Sequence, residues 1–207
     1  MPRQGRRDKQ GGISYMLEDL ITSKTRVKIL FTFLEDPEGM YHVREIVRRV
    51  DEEINAVRRE LILLEKKGIL KKEPRANRVY YFLDKNYPFF TDLVRIYAKS
   101  QGLGADILKN RVKLGKIKYA MLSGKFITGF GETPSEAVDL LVVGKVVLPE
   151  LALIVRREEV KRGKEINYTV MQEDEFDFRK KRRDPFIASI IYGPRIMVIG
   201  EELSLLA

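Results

Sequence analysis

The chain of 207 residues contains no cysteine, no tryptophan and a single histidine, His42. Without cysteine there is no disulfide framework, no thiolate metal site and no cysteine nucleophile, a usage that fits a reducing cytoplasm. One imidazole excludes a histidine-rich metal centre and any Ser-His-Asp triad built on another histidine. No apolar run approaches the ~20 residues that a membrane-crossing helix needs, so no membrane partner is expected. The start, "MPRQGRRDKQGG", is basic and lacks the apolar core of a signal peptide. Residues 1–20 are expected to form a flexible basic arm, or equally an extended start ahead of Met16. What the chain has in excess is positive charge: 39 Lys and Arg against 30 Asp and Glu, a net +9. That balance suits a polyanionic partner and says little about fold.

From Thr22, "TSKTRVKILFTFLED" opens with cap-type residues and sets Val27, Leu30, Phe31 and Leu34 at helical spacing. "PEG" then breaks the chain, and "MYHVREIVRRV" follows with Val43, Ile46, Val47 and Val50 on one face. Asp51 is expected to cap a third helix, "DEEINAVRRELILLEKKG", with Ile54, Val57, Leu61 and Leu64 as its stripe and Gly68 as a left-handed stop. His42 reads as a turn or helix-start residue without chemistry. Two strand-like runs come next, "ILKKE" and "RVYYFL", joined by the turn-prone tip "PRAN".

Three short helices followed by a basic hairpin is the order of a winged helix-turn-helix. "NAVRRELILLEKKGIL" resembles the recognition-helix segment of ArsR/MarR-like transcriptional regulators, and the resemblance covers about Ser23–Leu83. It implies a winged helix over residues 21–86 with double-stranded DNA as partner. A major groove admits one helix whose first residues reach base edges, arginine suiting guanine and asparagine suiting adenine. Asn55, Arg58 and Arg59, off the apolar stripe, are the candidate base readers. Arg44, Arg48 and Arg49 before them, with Arg75 and Arg78 in the wing, are the candidate phosphate contacts. Glu52, Glu53 and Glu60 on the same segment work against a polyanion. A solvated charged face, or a winged helix that binds protein, is the alternative.

Residues 87–115 read as connecting helices. "NYPFFTDLVRIYAKS" puts Phe90, Leu93, Val94 and Tyr97 on one face, and Gly102 and Gly104 break it from "ADILKNRVKLGKI". Helices flanking a winged helix suit a homodimer on a palindromic site, and equally packing on their own domain or the next one.

Residues 116–207 alternate strands and helices: "KIKYAML", "AVDLLVVGKVV", "PELALIVRREEVKRGK", "EINYTVM", "EDEFDFRKKRRDPFIASIIYG" as one charged then apolar helix, and "PRIMVIG". The whole chain is therefore expected to be an α+β protein of two domains. From about Lys116 to Gly200 the second half resembles a minimal nucleotidyltransferase domain of the DNA polymerase beta type, with a mixed sheet. That family carries Gly-Ser after one strand, Asp-x-Asp in the next, and a third carboxylate on a later strand.

Laid on that pattern, Gly124 keeps the motif glycine, Lys125 replaces the serine, Ala137 replaces the first aspartate, Asp139 is retained, and Asn167 replaces the third carboxylate. Two-metal nucleotidyl transfer needs clustered oxygens to hold Mg²⁺. Glu136 does not substitute, because alternate strand residues face opposite ways. The resemblance instead implies an ammonium, Lys125, near Asp139. "SGK" lacks the spaced glycine of a P-loop. No catalytic residue, metal or cofactor is expected.

The leading reading is a cytoplasmic DNA-binding transcriptional regulator. Its degenerate nucleotidyltransferase-like domain would serve as scaffold, dimer surface or sensor of a nucleotide or other small ligand. An active nucleotidyltransferase acting on protein, RNA or a small molecule is one alternative, and an antitoxin-like binding module is another.

Overall fold

Ser23 starts the first helix, its hydroxyl accepting the Arg26 N–H at 3.2 Å. The computed structural model describes residues 21–123 and 138–206, in two compact units, one ending at Tyr97 and the other beginning at Ala98. In the first unit α1 (Lys24–Glu35) buries Val27, Ile29, Leu30, Phe33 and Leu34. Phe31, expected in the core, is only half-buried and packs edge-on against Tyr97 at 5.5 Å. Apolar residues occur on more than one side of this helix. The side facing its two neighbours decides which are buried, and that choice is tertiary.

A two-residue strand, β1 (Tyr41–His42), leads directly into α2 (Val43–Val50), then α3 (Ile54–Lys66) and the hairpin β2 (Leu70–Arg75) and β3 (Arg78–Leu83). β3 lies between β1 and β2, all antiparallel, with Tyr41 opposite Tyr81 and Arg75 opposite Arg78. Helix, strand, two helices and a projecting hairpin form a winged helix. Its core joins Phe33, Ile46, Val57, Leu61, Leu64 and Leu70.

Three local expectations are corrected. Asp51 does not cap α3: it ends α2 in a left-handed conformation (φ 51°), its N–H donating to Val47 O, and Glu53 is the cap of α3. The tip "PRAN" is turn only in its second half, since Pro74 and Arg75 pair with Val79 and Arg78 and leave a two-residue turn. β2 is an edge strand, so the missing proline N–H costs no ladder bond. Tyr41, expected in a helical segment, is drawn into the sheet by β3, whereas His42, which pairs there with Tyr80, is the helix-start residue expected, as the cap of α2. Gly68 does stop α3 as expected: at φ +75° it follows the C-cap, and Ile69 N–H returns to Leu64 O at 3.0 Å.

The boundary between units falls inside α4 (Phe90–Ser100), which buries Val94 and Ala98. The second unit continues with α5 (Gly102–Lys109), β4 (Gly115–Ser123), β5 (Leu140–Val146), α6 (Leu148–Arg162), β6 (Tyr168–Met171), α7 (Glu173–Lys181), α8 (Pro185–Tyr192), β7 (Arg195–Ile199) and α9 (Glu202–Leu206). Its mixed sheet runs β6-β5-β4-β7 among the described residues, with β5 and β6 parallel and the other two pairs antiparallel. Tyr119, Met121, Leu141 and Val143 pack with Phe176, Ile187, Ile191 and Leu205. The alternate residues Ala120, Leu122, Leu140 and Val142 are equally buried, so both faces are covered. Gly144 (φ +140°) sits opposite a bulge between Ile117 and Tyr119, where a Cβ would meet Lys116 O at 2.3 Å.

The segment expected as one helix after β6 is two. Asp184 accepts the N–H groups of Phe186 and Ile187, and with Pro185 behind it a new helix starts there.

Candidate nucleic-acid interface

Burial of Val57, Leu61 and Leu64 fixes the rotation of α3 and turns Asn55, Arg58, Arg59, Ile62 and Lys66 outward. These lie three and four residues apart and form one solvent-facing stripe. The helix start is closed by Glu53, whose Oε2 accepts the N–H of Asn55 at 2.8 Å and of Ala56 at 3.0 Å. Those two bonds hold the Glu53 carboxyl below the usual carboxylate range.

α2 starts on His42, whose Nδ1 accepts the Glu45 N–H at 3.0 Å while the ring rests edge-on against Tyr80 at 5.8 Å. This cap aims the first turn of α2, with Arg44, toward the wing. Arg44 from α2, Arg58 from α3, and Asn77 and Arg78 from the wing surround one surface cleft of about 400 Å³ that His42 also lines. None of these three arginines makes an ion pair among the described residues. Three guanidinium groups from three elements, none of them in an ion pair among the described residues, give this opening a positive lining.

The other expected phosphate contacts divide. Arg48 is exposed and makes no ion pair among the described residues. Arg49 lies over the Tyr41 ring at 4.3 Å and bonds Glu45 at 3.2 Å. Arg75 is paired with Glu73 at 2.9 Å, which keeps its guanidinium more firmly protonated, and lies 5.9 Å over Tyr80. Arg59 stays exposed beside Arg58.

The three carboxylates that seemed to oppose a polyanion are all engaged within the fold. Glu52 pairs with Lys28 at 2.7 Å. Glu53 caps α3 and keeps its charge near Arg58 and Arg59. Glu60 pairs with Arg26 at 2.7 Å and accepts the Ser23 hydroxyl at 2.6 Å. Sequence reasoning also missed two members of the surface. Ile62 stands 58% exposed between the basic residues of α3, and Asn77 lines the cleft at the wing tip. A lone isoleucine inside the run "LILL" gave no signal that it points outward.

In the second unit the ends of three neighbouring strands meet. Ser123 N–H donates to Asp139 O at 2.9 Å, and Asp139 N–H donates to Asn167 O at 2.7 Å. Asn167 N–H in turn donates to Asp139 Oδ2 at 3.0 Å. Two of the motif positions, Asp139 and Asn167, are thus brought together. Gly124, Lys125 and Ala137 lie outside the described residues, as do residues 1–20. No group of three or more metal-ligating side chains occurs among the described residues, and none of the described helices is long and apolar enough to cross a membrane.

No family model and no curated protein matches the chain. Among solved structures, it is similar to reduced HlyU from Vibrio cholerae at 23% identity over 39% of this chain and 84% of that one, with a TM-score of 0.31. It is similar to a homodimeric winged helix-turn-helix DNA-binding domain from Mycobacterium bovis, described as a possible ArsR-family transcriptional regulator. That similarity is 21% identity over 42% of this chain and 71% of the other, with a TM-score of 0.31. Human N-acetylserotonin methyltransferase in complex with SAM is 13% identical over 80% of this chain and 41% of its own, with a TM-score of 0.28. The winged-helix assignment rests on element order and sheet register, to which similarities at these scores add nothing.

Proposed function

We propose that the chain is a DNA-binding transcriptional regulator that lays α3 in a major groove and the β2–β3 wing along the flanking backbone. The observation that carries this reading is the convergence of Arg44, Arg58 and Arg78 on one cleft, with Glu52 and Glu60 held in ion pairs by Lys28 and Arg26. The exposed stripe of α3 then presents donors and one apolar contact to base edges. Asn55, Arg58 and Arg59 read bases, and Ile62 meets a thymine methyl. Arg44, Arg48 and Arg78 position the helix through phosphates, with Arg49 and Arg75 as weaker contacts because each already has an acidic neighbour. The protein acts as a homodimer on a two-fold site and resides in the cytoplasm.

The second unit is a degenerate nucleotidyltransferase-like domain that serves as scaffold, dimer surface or sensor of a nucleotide or other small ligand. Supporting this are the antiparallel β4–β5 pair followed by a parallel β6, with Asp139 and Asn167 side by side at the strand ends. Where the pattern wants carboxylates the sequence has Ala137 and Asn167, and the one retained acid is spent on a backbone N–H.

The deciding experiment is selection of bound fragments from genomic DNA, followed by salt titration on the enriched site. A shared two-fold motif, bound at least a thousandfold more tightly than random duplex, is expected. Equal affinity for enriched and random duplex would sink the reading.

A further inference from the structure

Five consecutive cations, Arg179-Lys180-Lys181-Arg182-Arg183, occupy the end of α7 and the turn into α8. The winged helix leaves this run unexplained. Arg179 bonds Glu175 at 2.7 Å, and the other four make no ion pair among the described residues. The nearby carboxylates are largely committed elsewhere. Glu173 and Asp177 turn to Lys118 at 3.3 and 3.8 Å, and Asp184 caps α8.

The backbone under the run is fixed. Arg183 N–H returns to Lys180 O and Asp184 N–H to Arg179 O, both at 3.0 Å, which is a Schellman turn. Arg183 holds the left-handed position of that turn at φ 53°, where glycine is the unstrained residue. The Arg182 guanidinium lies 4.6 Å over the ring of Phe178, itself 56% exposed. The helix dipole accounts for cations in the last turn of α7. It does not account for an arginine at the single position where its backbone is strained.

We propose that this turn is a second polyanion-contact surface, binding the sugar-phosphate backbone of duplex DNA without reading sequence. Duplex DNA presents a charge about every 1.7 Å along its axis, a density that rewards adjacent cations on a rigid turn. Arginine forks match phosphate oxygens in pairs. An anionic membrane is the weaker fit, since Arg182 lies over one face of the ring that would insert. The proposal extends DNA contact to the second unit and does not depend on the winged helix.

The test uses the full chain and random-sequence duplex. Lys181→Gln/Arg182→Gln/Arg183→Gly is compared with wild type, and both are repeated with Arg58→Ala/Arg78→Ala added. In each background the slope of log K against log salt is expected to become shallower by ~2–3, near 0.9 per lost phosphate contact. Arg183→Gly alone is expected to raise Tm by about 2–4 °C by relieving the left-handed arginine, while weakening duplex binding. Unchanged slopes in both backgrounds would overturn the proposal. So would a triple variant that loses binding to phosphatidylserine vesicles and keeps its duplex affinity. If the Arg58/Arg78 changes leave the preference for the enriched genomic site over random duplex intact while the triple still flattens the slope, the winged-helix reading fails and this one stands.

Discussion

Arg26 Nε lies 2.7 Å from Glu60 Oε2, so α1 holds the middle carboxylate of α3 toward the inside of the winged helix. Ser23, the cap of α1, donates its hydroxyl to the other oxygen of the same carboxylate at 2.6 Å. One carboxylate therefore ties the start of α1 to α3. It is also kept away from the stripe that carries Arg58 and Arg59. Glu52 and Glu60 are neutralised inside the fold by Lys28 and Arg26, which leaves Glu53, of these three carboxylates, as the one that a polyanion would meet.

Acid should loosen that anchor. Burial pushes the Glu60 carboxyl up, but the bonds from Arg26 and Ser23 outweigh it and hold the group below its ordinary 4.5. The folded state thus binds the proton less readily than the unfolded chain. The stabilisation is present above the ordinary value and is lost as pH falls through the lower folded value. Thermal unfolding of wild type and Glu60→Gln should differ by about 1–2 kcal/mol at pH 7 and converge in acid. A gap that stays constant down to pH 3 would show that Glu60 contributes through packing alone.

Arg58 and Arg78 line the same cleft but are expected to fail differently when removed. Arg58→Ala should cost about 1–3 kcal/mol at one base position and relax preference there. Arg78→Ala should weaken all sequences alike and reduce the salt slope by about 1. Binding to a panel of single-base variants of the enriched site separates the two. Identical profiles for the two variants would mean that Arg58 contacts backbone.

The order of elements in the first unit was legible because each has local punctuation: Ser23 and Gly68 at helix ends, proline and glycine between helices, alternation in the hairpin. What was not legible depended on contacts distant in sequence. β1 exists because Tyr81 and Tyr80 arrive to pair with Tyr41 and His42, and two residues alone carry no period. Glu60 looked exposed because nothing near it in sequence pairs with it; its partner is 34 residues away. The break between α7 and α8 was readable in Asp184-Pro185, but the charged run around it reads equally well as a helix. Arg44, Arg58 and Arg78 were separately identifiable as basic residues off the core face. Their convergence on one cleft follows from the cap at His42 and the two-residue wing turn, which only the fold reveals.

Alkali should act at the other end of the same unit. Tyr41 is buried, its hydroxyl donates to Asp36 Oδ2 at 2.6 Å, and burial with this bond to a carboxylate pushes its pKa up to about 12. The folded state holds the phenolic proton more tightly than the unfolded chain. Its contribution is complete below the ordinary pKa near 10 and is lost as pH rises toward about 12. Stability should therefore fall across that interval, and Tyr41→Phe should flatten the fall. Ultraviolet titration should show one tyrosine fewer in the late phase of that variant. A Tyr41 that titrates with the exposed tyrosines would contradict the geometry.

Asp139 separates a structural from a chemical role. Its carboxylate accepts the Asn167 N–H at 3.0 Å while its own N–H donates to Asn167 O at 2.7 Å, so β5 and β6 are stapled where they begin. Asp139→Ala leaves that N–H without its partner and should lower stability by about 1 kcal/mol, read as a lower Tm. Asp139→Asn, which retains an acceptor oxygen, should recover much of the loss. Neither change should alter the outcome of incubation with labelled nucleoside triphosphates and Mg²⁺, in which no transfer is expected from any form. Transfer by wild type that disappears in both variants while Tm holds would make Asp139 a catalytic carboxylate. A chemical role needs the charge, whereas the staple needs only an oxygen, and Asp139→Asn separates the two.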